Sequence, residues 1–189
     1  MNILGGITKA KRGKIRTKSR ISVLVQNVRA LFLTDVIIKD LKKVSECMED
    51  IQKIADSLNI QHLLERSPGE LSHGELKKAA IAKVLLTRPD LLLLDEPTDG
   101  IDVFAKNELL EILKNLLDGG CSMIIVSHDL EFVAGIADRC SMMGMGRLVC
   151  EDNGHDFFLE NNYYTTAVNR LTRGIIDGCV LLEDLCKEH

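Results

Sequence analysis

Leu91-Leu92-Leu93-Leu94-Asp95-Glu96-Pro97 sets four apolar side chains in a row and closes them with two acids and a proline. Four consecutive leucines are apolar on both faces, which fits a strand buried inside a parallel sheet. Asp95-Glu96-Pro97 ends that strand. Downstream, residues 103–117 read as an amphipathic helix stopped by Asp118-Gly119-Gly120. Residues 122–126 read as a second buried strand, ending at Ser127-His128-Asp129. A helix over 130–137 and two short strands around the Gly144–Gly146 turn follow, then a turn at Asn153-Gly154 and short helices over 156–160, 163–171 and 183–187. Upstream, residues 75–87 form a helix stopped by Pro89, and Ser67-Pro68-Gly69 is a turn. Residues 35–64 carry apolar side chains at helical spacing, with a break at Asn59. Residues 14–16 and 21–25 read as strands. Strand and helix in this rhythm imply an α/β fold around a parallel sheet, with 36–87 inserted as a helical segment.

Composition narrows the classes. The chain has 189 residues, which suits one domain, and is 46% hydrophobic and 28% charged. Trp is absent and aromatics are few, so the core is expected to be aliphatic. No apolar run approaches the ~20 residues of a membrane span. Met1–Ile7 is too short for a signal peptide, so a cytoplasmic protein is expected, reaching any membrane through a partner. Six cysteines lack Cys-x-x-Cys spacing and read as small buried hydrophobes. Residues 1–30 carry eight Lys/Arg (Lys9, Lys11, Arg12, Lys14, Arg16, Lys18, Arg20, Arg29) and no acid, leaving −12 on the remainder. Such a stretch suits nucleic acid or anionic lipid. With no aromatic residues interleaved, a solvated hairpin edge is the favoured reading.

In parallel α/β sheets, ligands bind beyond the carboxyl ends of the strands. One strand ends in Asp95-Glu96, the other in His128-Asp129. Phosphoryl transfer needs a carboxylate for Mg²⁺, a group that positions water and donors for the γ-phosphate. Asp95, Glu96 and His128 suit those three tasks in turn. A third cluster, Leu71-Ser72-His73-Gly74-Glu75, directly precedes a helix, whose free N–H groups attract phosphate. Ser72 and Glu75 also have the spacing of a reciprocal helix cap, the purely structural reading of the same residues.

Taken in order, Leu71–Glu75, Leu91–Asp102 and Ile124–Asp129 resemble the ABC ATPase family in motif and spacing. The resemblance runs along essentially the whole chain. It implies a P-loop NTPase-like parallel sheet core (1–34 and 88–151), an inserted helical subdomain with the signature motif (35–87) and a C-terminal tail (152–189). Leu71–Glu75 matches the signature, and Leu91–Glu96 matches Walker B. Asp99–Asp102 matches the D-loop, His128 the switch histidine and Gln26 the Q-loop glutamine. Catalytic roles are thereby implied for Glu96 and His128. Mg²⁺ contact is implied for Asp95 and Gln26, and ATP contact for Gln26, Ser72, His73, Gly74, Glu75 and Asp102. His73 and Glu75 stand where the family more often has Gly and Gln. No Gly-x-x-x-x-Gly-Lys-Ser/Thr occurs, so the core is expected to lack the Walker A strand and loop.

The tail from Asp156 to Arg173, with Leu182–Leu185, is similar to the C-terminal ATPase domain of tandem energy-coupling-factor transporter ATPases. That likeness implies ATP and Mg²⁺ as cofactors and uptake of vitamins or metal ions. It also implies a second ATPase domain of the same or another chain, placed head to tail. A transmembrane coupling subunit would hold the chain at the cytoplasmic face of the membrane. No nucleic-acid partner is expected. Three other readings stay open: an inactive half-domain offering only its signature motif, a non-transport ABC protein acting on ribosomes or DNA, and an incomplete gene product.

Overall fold

Strands β1 (Ile21–Leu24), β2 (Leu91–Asp95) and β3 (Ser122–Val126) pair in parallel in the order β1-β2-β3. They belong to a computed structural model that describes residues 1–161 and 164–186. The chain divides into two compact units, Met1–Ser127 and His128–His189.

The first unit is built on this sheet. Leu24 lies opposite Leu94, and Asp95 opposite Val126. Leu92, Leu93 and Leu94 of the central strand are buried, as a run apolar on both faces requires. The β1-to-β2 crossover contains α1 (Ile37–Lys42), α2 (Met48–Ser57) and α3 (His73–Leu85); α4 (Val103–Asp118) links β2 to β3. Asn59, with φ +54°, takes the left-handed conformation just after α2, at the break its sequence position suggested. Helix α3 has little amphipathic character because it is covered on most sides. Leu76, Ala79, Ala80, Ile81, Ala82, Val84 and Leu85 are all buried, and α3 packs on α1, α2 and β1. Asp90 accepts from the Arg20 amide at 2.8 Å and its guanidinium at 3.0 Å, joining the entrances of β1 and β2.

The basic arm departs from expectation. Residues 14–16 form no strand, and residues 6–20 are exposed throughout, so no hairpin edge forms there. A charge at nearly every second position leaves no apolar face to bury against a partner strand.

The second unit contains α5 (Leu130–Ala134), the antiparallel pair β4 (Arg139–Gly144) and β5 (Arg147–Asn153), α6 (Gly154–Glu160), α7 (Ala167–Thr172) and α8 (Leu182–Leu185). Met145 and Gly146, with φ +48° and +75°, make the two-residue turn that matches strand twist. Cys140, Phe157, Phe158 and Val180 form the core, the two rings meeting edge to face at 5.3 Å. Asn153-Gly154 is a helix start rather than a free turn, since Asn153 Oδ1 accepts from Asp156 N at 2.9 Å. The helix expected from Tyr163 begins at Ala167, capped by Thr166; Asn162 and Tyr163 lie outside the described residues. Of the helix expected over 183–187, Lys187 also lies outside them. The reading of six buried cysteines holds for two. Cys140 and Cys179 are buried, Cys121 and Cys150 are half-buried, and Cys47 and Cys186 are exposed. Burial pushes the Cys140 thiol up to about 11. Among the described residues, no helix is long and apolar enough to cross a membrane.

Among the described residues β3 pairs only with β2, and Ile124 and Val126 on one face are 40% and 45% exposed. Apolar strands with an open edge self-associate. The 189-residue polypeptide is therefore expected to form concentration-dependent oligomers in light scattering, reduced by Ile124→Lys. A monodisperse, cooperatively melting monomer would contradict this.

Candidate functional site

Parallel strands end on one side, so the carboxyl edge of the sheet collects the residues that follow β1, β2 and β3. Gln26 stands two residues beyond Leu24 and Glu96 two beyond Leu94, its cross-strand partner, so both lie at this edge. Gln26 is exposed, and its carbonyl accepts from Val28 N at 3.0 Å. Asp95 closes β2. Glu96 donates its amide to Val126 O at 2.8 Å and then takes φ +48°, uncommon for a non-glycine residue. The sheet thus holds Glu96 by its amide while the chain turns away. Its carboxylate lies 3.2 Å from the Ser127 hydroxyl, which donates to Oε2.

The second cluster starts at α3. Glu75 N donates to Ser72 Oγ at 3.3 Å, and Ser72 N donates to Glu75 Oε2 at 2.8 Å. The reciprocal cap is therefore formed. It uses two of the amide donors and leaves those of His73 and Gly74 without a protein acceptor among the described residues. The Ser72 amide holds the Glu75 carboxyl below its ordinary range, so an anion stands beside the helix N-terminus. Gly100, at φ +69°, lies so near the His73 ring that a Cβ there would meet Cδ2 at 2.8 Å. A Cβ on Gly74 would reach Ile101 at 3.5 Å, an ordinary contact. The turn after β2 and the turn before α3 thus form one surface within this chain. Asp102 caps α4, its carboxylate accepting from Ala105 N at 2.9 Å.

Gln26, Asp95 and Glu96 are brought to one edge, and Ser72–Glu75 is joined to Asp99–Ile101. His128 opens the second unit, where neighbouring Asp129 caps α5 by accepting from Phe132 N at 3.2 Å. The sequence did not single out two lysines, buried Lys77 and half-buried Lys83. Lys77 Nζ donates to Glu96 O at 3.1 Å and Asp99 O at 2.7 Å. Lys83 Nζ donates to Leu31 O and, at 2.8 Å, to fully buried Asp40. Asp40 could have been noticed, since it falls on the apolar stripe of Ile37, Leu41 and Val44. Lys77 gives no such signal in a helix buried on most sides.

Carboxylates and a carboxamide at the sheet edge are hard oxygen donors of the kind Mg²⁺ takes. No group of three or more His, Cys, Asp or Glu among the described residues could hold a metal by itself. The two free amides before α3 suit a phosphate oxygen.

A family model described as ABC transporter matches residues 1–99. The chain is 31% identical over 204 aligned residues to a Bacillus anthracis protein named as an ABC transporter ATP-binding protein, covering 98% of this chain. It spans 37% of that relative's length, a little over a third. In structure it is similar to cbiO1 of Clostridium perfringens, part of the ABC transporter complex cbiONQ. The TM-score is 0.73 at 26% identity, over 84% of this chain and 73% of the other. The dimeric ATP-binding cassette MJ0796, bound to ADP and Pi, shares the fold at TM-score 0.71 and 20% identity, over 80% of this chain and 78% of that one.

Proposed function

We propose, from the premise that this chain belongs to the ABC transporter family of ATPases, that it is the ATP-binding part of an energy-coupling-factor importer for vitamins or metal ions. The observation that carries the reading is the carboxyl edge of the parallel sheet, where Gln26, Asp95 and Glu96 stand together. Asp95 and Gln26 would hold Mg²⁺, and Glu96 would orient the attacking water. Across a head-to-tail pair, Ser72 and the amides of His73 and Gly74 would meet the γ-phosphate of ATP bound to the partner. Asp102 would stay at that interface, and His128 would contact the γ-phosphate of its own site. A transmembrane coupling subunit would hold the pair at the cytoplasmic face of the membrane and recognise the substrate; nucleic acid plays no part.

A second reading is favoured by the lack of Gly-x-x-x-x-Gly-Lys-Ser/Thr in these residues. Here the chain offers only its signature turn to a partner ATPase. The 189-residue polypeptide alone is accordingly expected to show no Mg²⁺-dependent ATPase activity above background. Robust turnover abolished by Glu96→Gln would mean that another segment cradles the phosphates. Copurification with membrane subunits supports the importer reading; copurification with ribosomes or DNA through the Lys9–Arg20 arm would overturn it.

A further inference from the structure

We propose that Lys77 is a positioning residue, whose buried ammonium clamps the Glu96–Asp99 turn to α3 and so sets where the signature turn presents its donors. The inference rests on the proposed role of Ser72–Gly74 at a partner's ATP.

Lys77 is 2% exposed, a rare state for lysine. Its Nζ donates to two carbonyls of a single turn, Glu96 O at 3.1 Å and Asp99 O at 2.7 Å. The entry of that turn is tied to the sheet, through the Glu96 amide on Val126 O and the Ser127 hydroxyl on the Glu96 carboxylate. Glu96 sits at φ +48°, Asp99 N reaches Glu96 O at 3.2 Å, and Ile101 N reaches Thr98 O only at 3.4 Å. Left to itself, a turn strained at Glu96 samples other conformations. A further restraint also comes from α3, the His73 ring lying against Gly100. Lys77 and His73 are four residues apart, on one face of the helix, and grip the turn at two points.

Burial pushes the Lys77 ammonium down, with the Asp99 and Glu96 carboxylates opposing that shift. An apolar side chain here would leave the Glu96 and Asp99 carbonyls without this donor. What the apolar side chain cannot do is donate to two carbonyls at once. The geometry of Lys77 is therefore that of a fastener between the turn after β2 and the first turns of α3. Each half of the surface at Ser72–Gly74 then moves with the other. Both carbonyls that Lys77 Nζ reaches belong to the main chain of this protein.

The test uses Lys77→Met, which keeps the volume and loses the donors, and Lys77→Gln, which restores donors without charge. The first readout is amide hydrogen exchange of the full chain. Lys77→Met is expected to speed exchange at residues 97–101 by about tenfold or more, while the interior of α3 and β2 keep their protection; Lys77→Gln is expected to recover most of it. The second readout is ATP turnover by the chain paired with an ABC ATPase that carries its own phosphate loop. Lys77→Met should lower kcat about tenfold with little change in KM, and Lys77→Gln should restore it. Unchanged exchange at 97–101, or an equal rise everywhere, overturns the clamp. A pair that shows the local exchange change yet has a kcat insensitive to Lys77→Met overturns the positioning role. If the wild-type pair does not respond to Ser72→Ala either, the proposed function fails instead, and the exchange pattern still decides the clamp.

Discussion

Asp40→Ala is expected to destabilise the first unit by about 3–5 kcal/mol, enough to unfold a marginal domain. Asp40 is fully buried and accepts from Lys83 Nζ at 2.8 Å, Thr34 Oγ1 at 2.6 Å and the amides of Leu33 and Thr34. Removing it strands the mostly buried Lys83 ammonium, which also serves Leu31 O and lies 5.4 Å from the Phe32 ring. The segment after Gln26 and the C-terminal half of α3 would lose their common anchor together. Lys83→Met combined with Asp40→Leu should recover much of the loss, because no unpaired charge remains. Denaturant midpoints of the three variants check this; equal instability of the single and double changes would contradict it. The same carboxylate gives a pH dependence. Burial pushes Asp40 up, but Lys83, Thr34 and the amides of Leu33 and Thr34 outweigh it and hold it at about 2, against an ordinary 3.8. A depressed folded value means that the stabilisation is complete above about pH 4 and is lost as pH falls through about 2.

In a pair with an intact ATPase subunit, Ser72→Ala or a bulky residue at Gly74 is expected to cut ATP hydrolysis at the partner's site about ten- to a hundredfold. On the second reading, in which this chain offers only its signature turn, Glu96→Gln in it should barely change that rate. The Ser72 hydroxyl and the amides of His73 and Gly74 would serve ATP held by the partner's phosphate loop. Losing one charge-assisted hydrogen bond costs roughly 1.5–3 kcal/mol, which is that factor in rate. The Gly74 effect has a threshold. A Cβ at 3.5 Å from Ile101 is ordinary contact, so Gly74→Ala should be mild, whereas Gly74→Val or larger must displace Ile101 or block the approach of phosphate. Glu96 would face a site with no Gly-x-x-x-x-Gly-Lys-Ser/Thr in these residues, hence its expected silence. Steady-state ATPase of the reconstituted pair decides. A damaging Glu96→Gln beside a silent Ser72→Ala would reverse the division of labour.

Much of this was legible in the sequence, for local reasons. Leu91–Leu94 fits a doubly buried strand, and its parallel pairing on both sides follows from helices running between the strands. The Ser72–Glu75 cap, the stop at Asn59 and the Gly144–Gly146 turn depend on residues at most a few positions apart, so their side chains announce them. Strand ends also announce Asp95 and Glu96, because parallel strands gather their C-terminal residues on one edge. Charge patterning alone misread the arm: strand-like alternation at 14–16 had no partner to pair with, and only tertiary pairing makes a strand. The cysteines failed for the same reason, since burial of a small residue depends on neighbours far away in sequence. The hydrogen bonds inside the site depend on tertiary packing. Lys77 reaches carbonyls 19 and 22 residues away, and Lys83 reaches a carboxylate 43 residues away. No periodicity encodes such pairs. A lysine ammonium finds its carbonyl or carboxylate only after the helix has packed, because burial is what makes the partner obligatory.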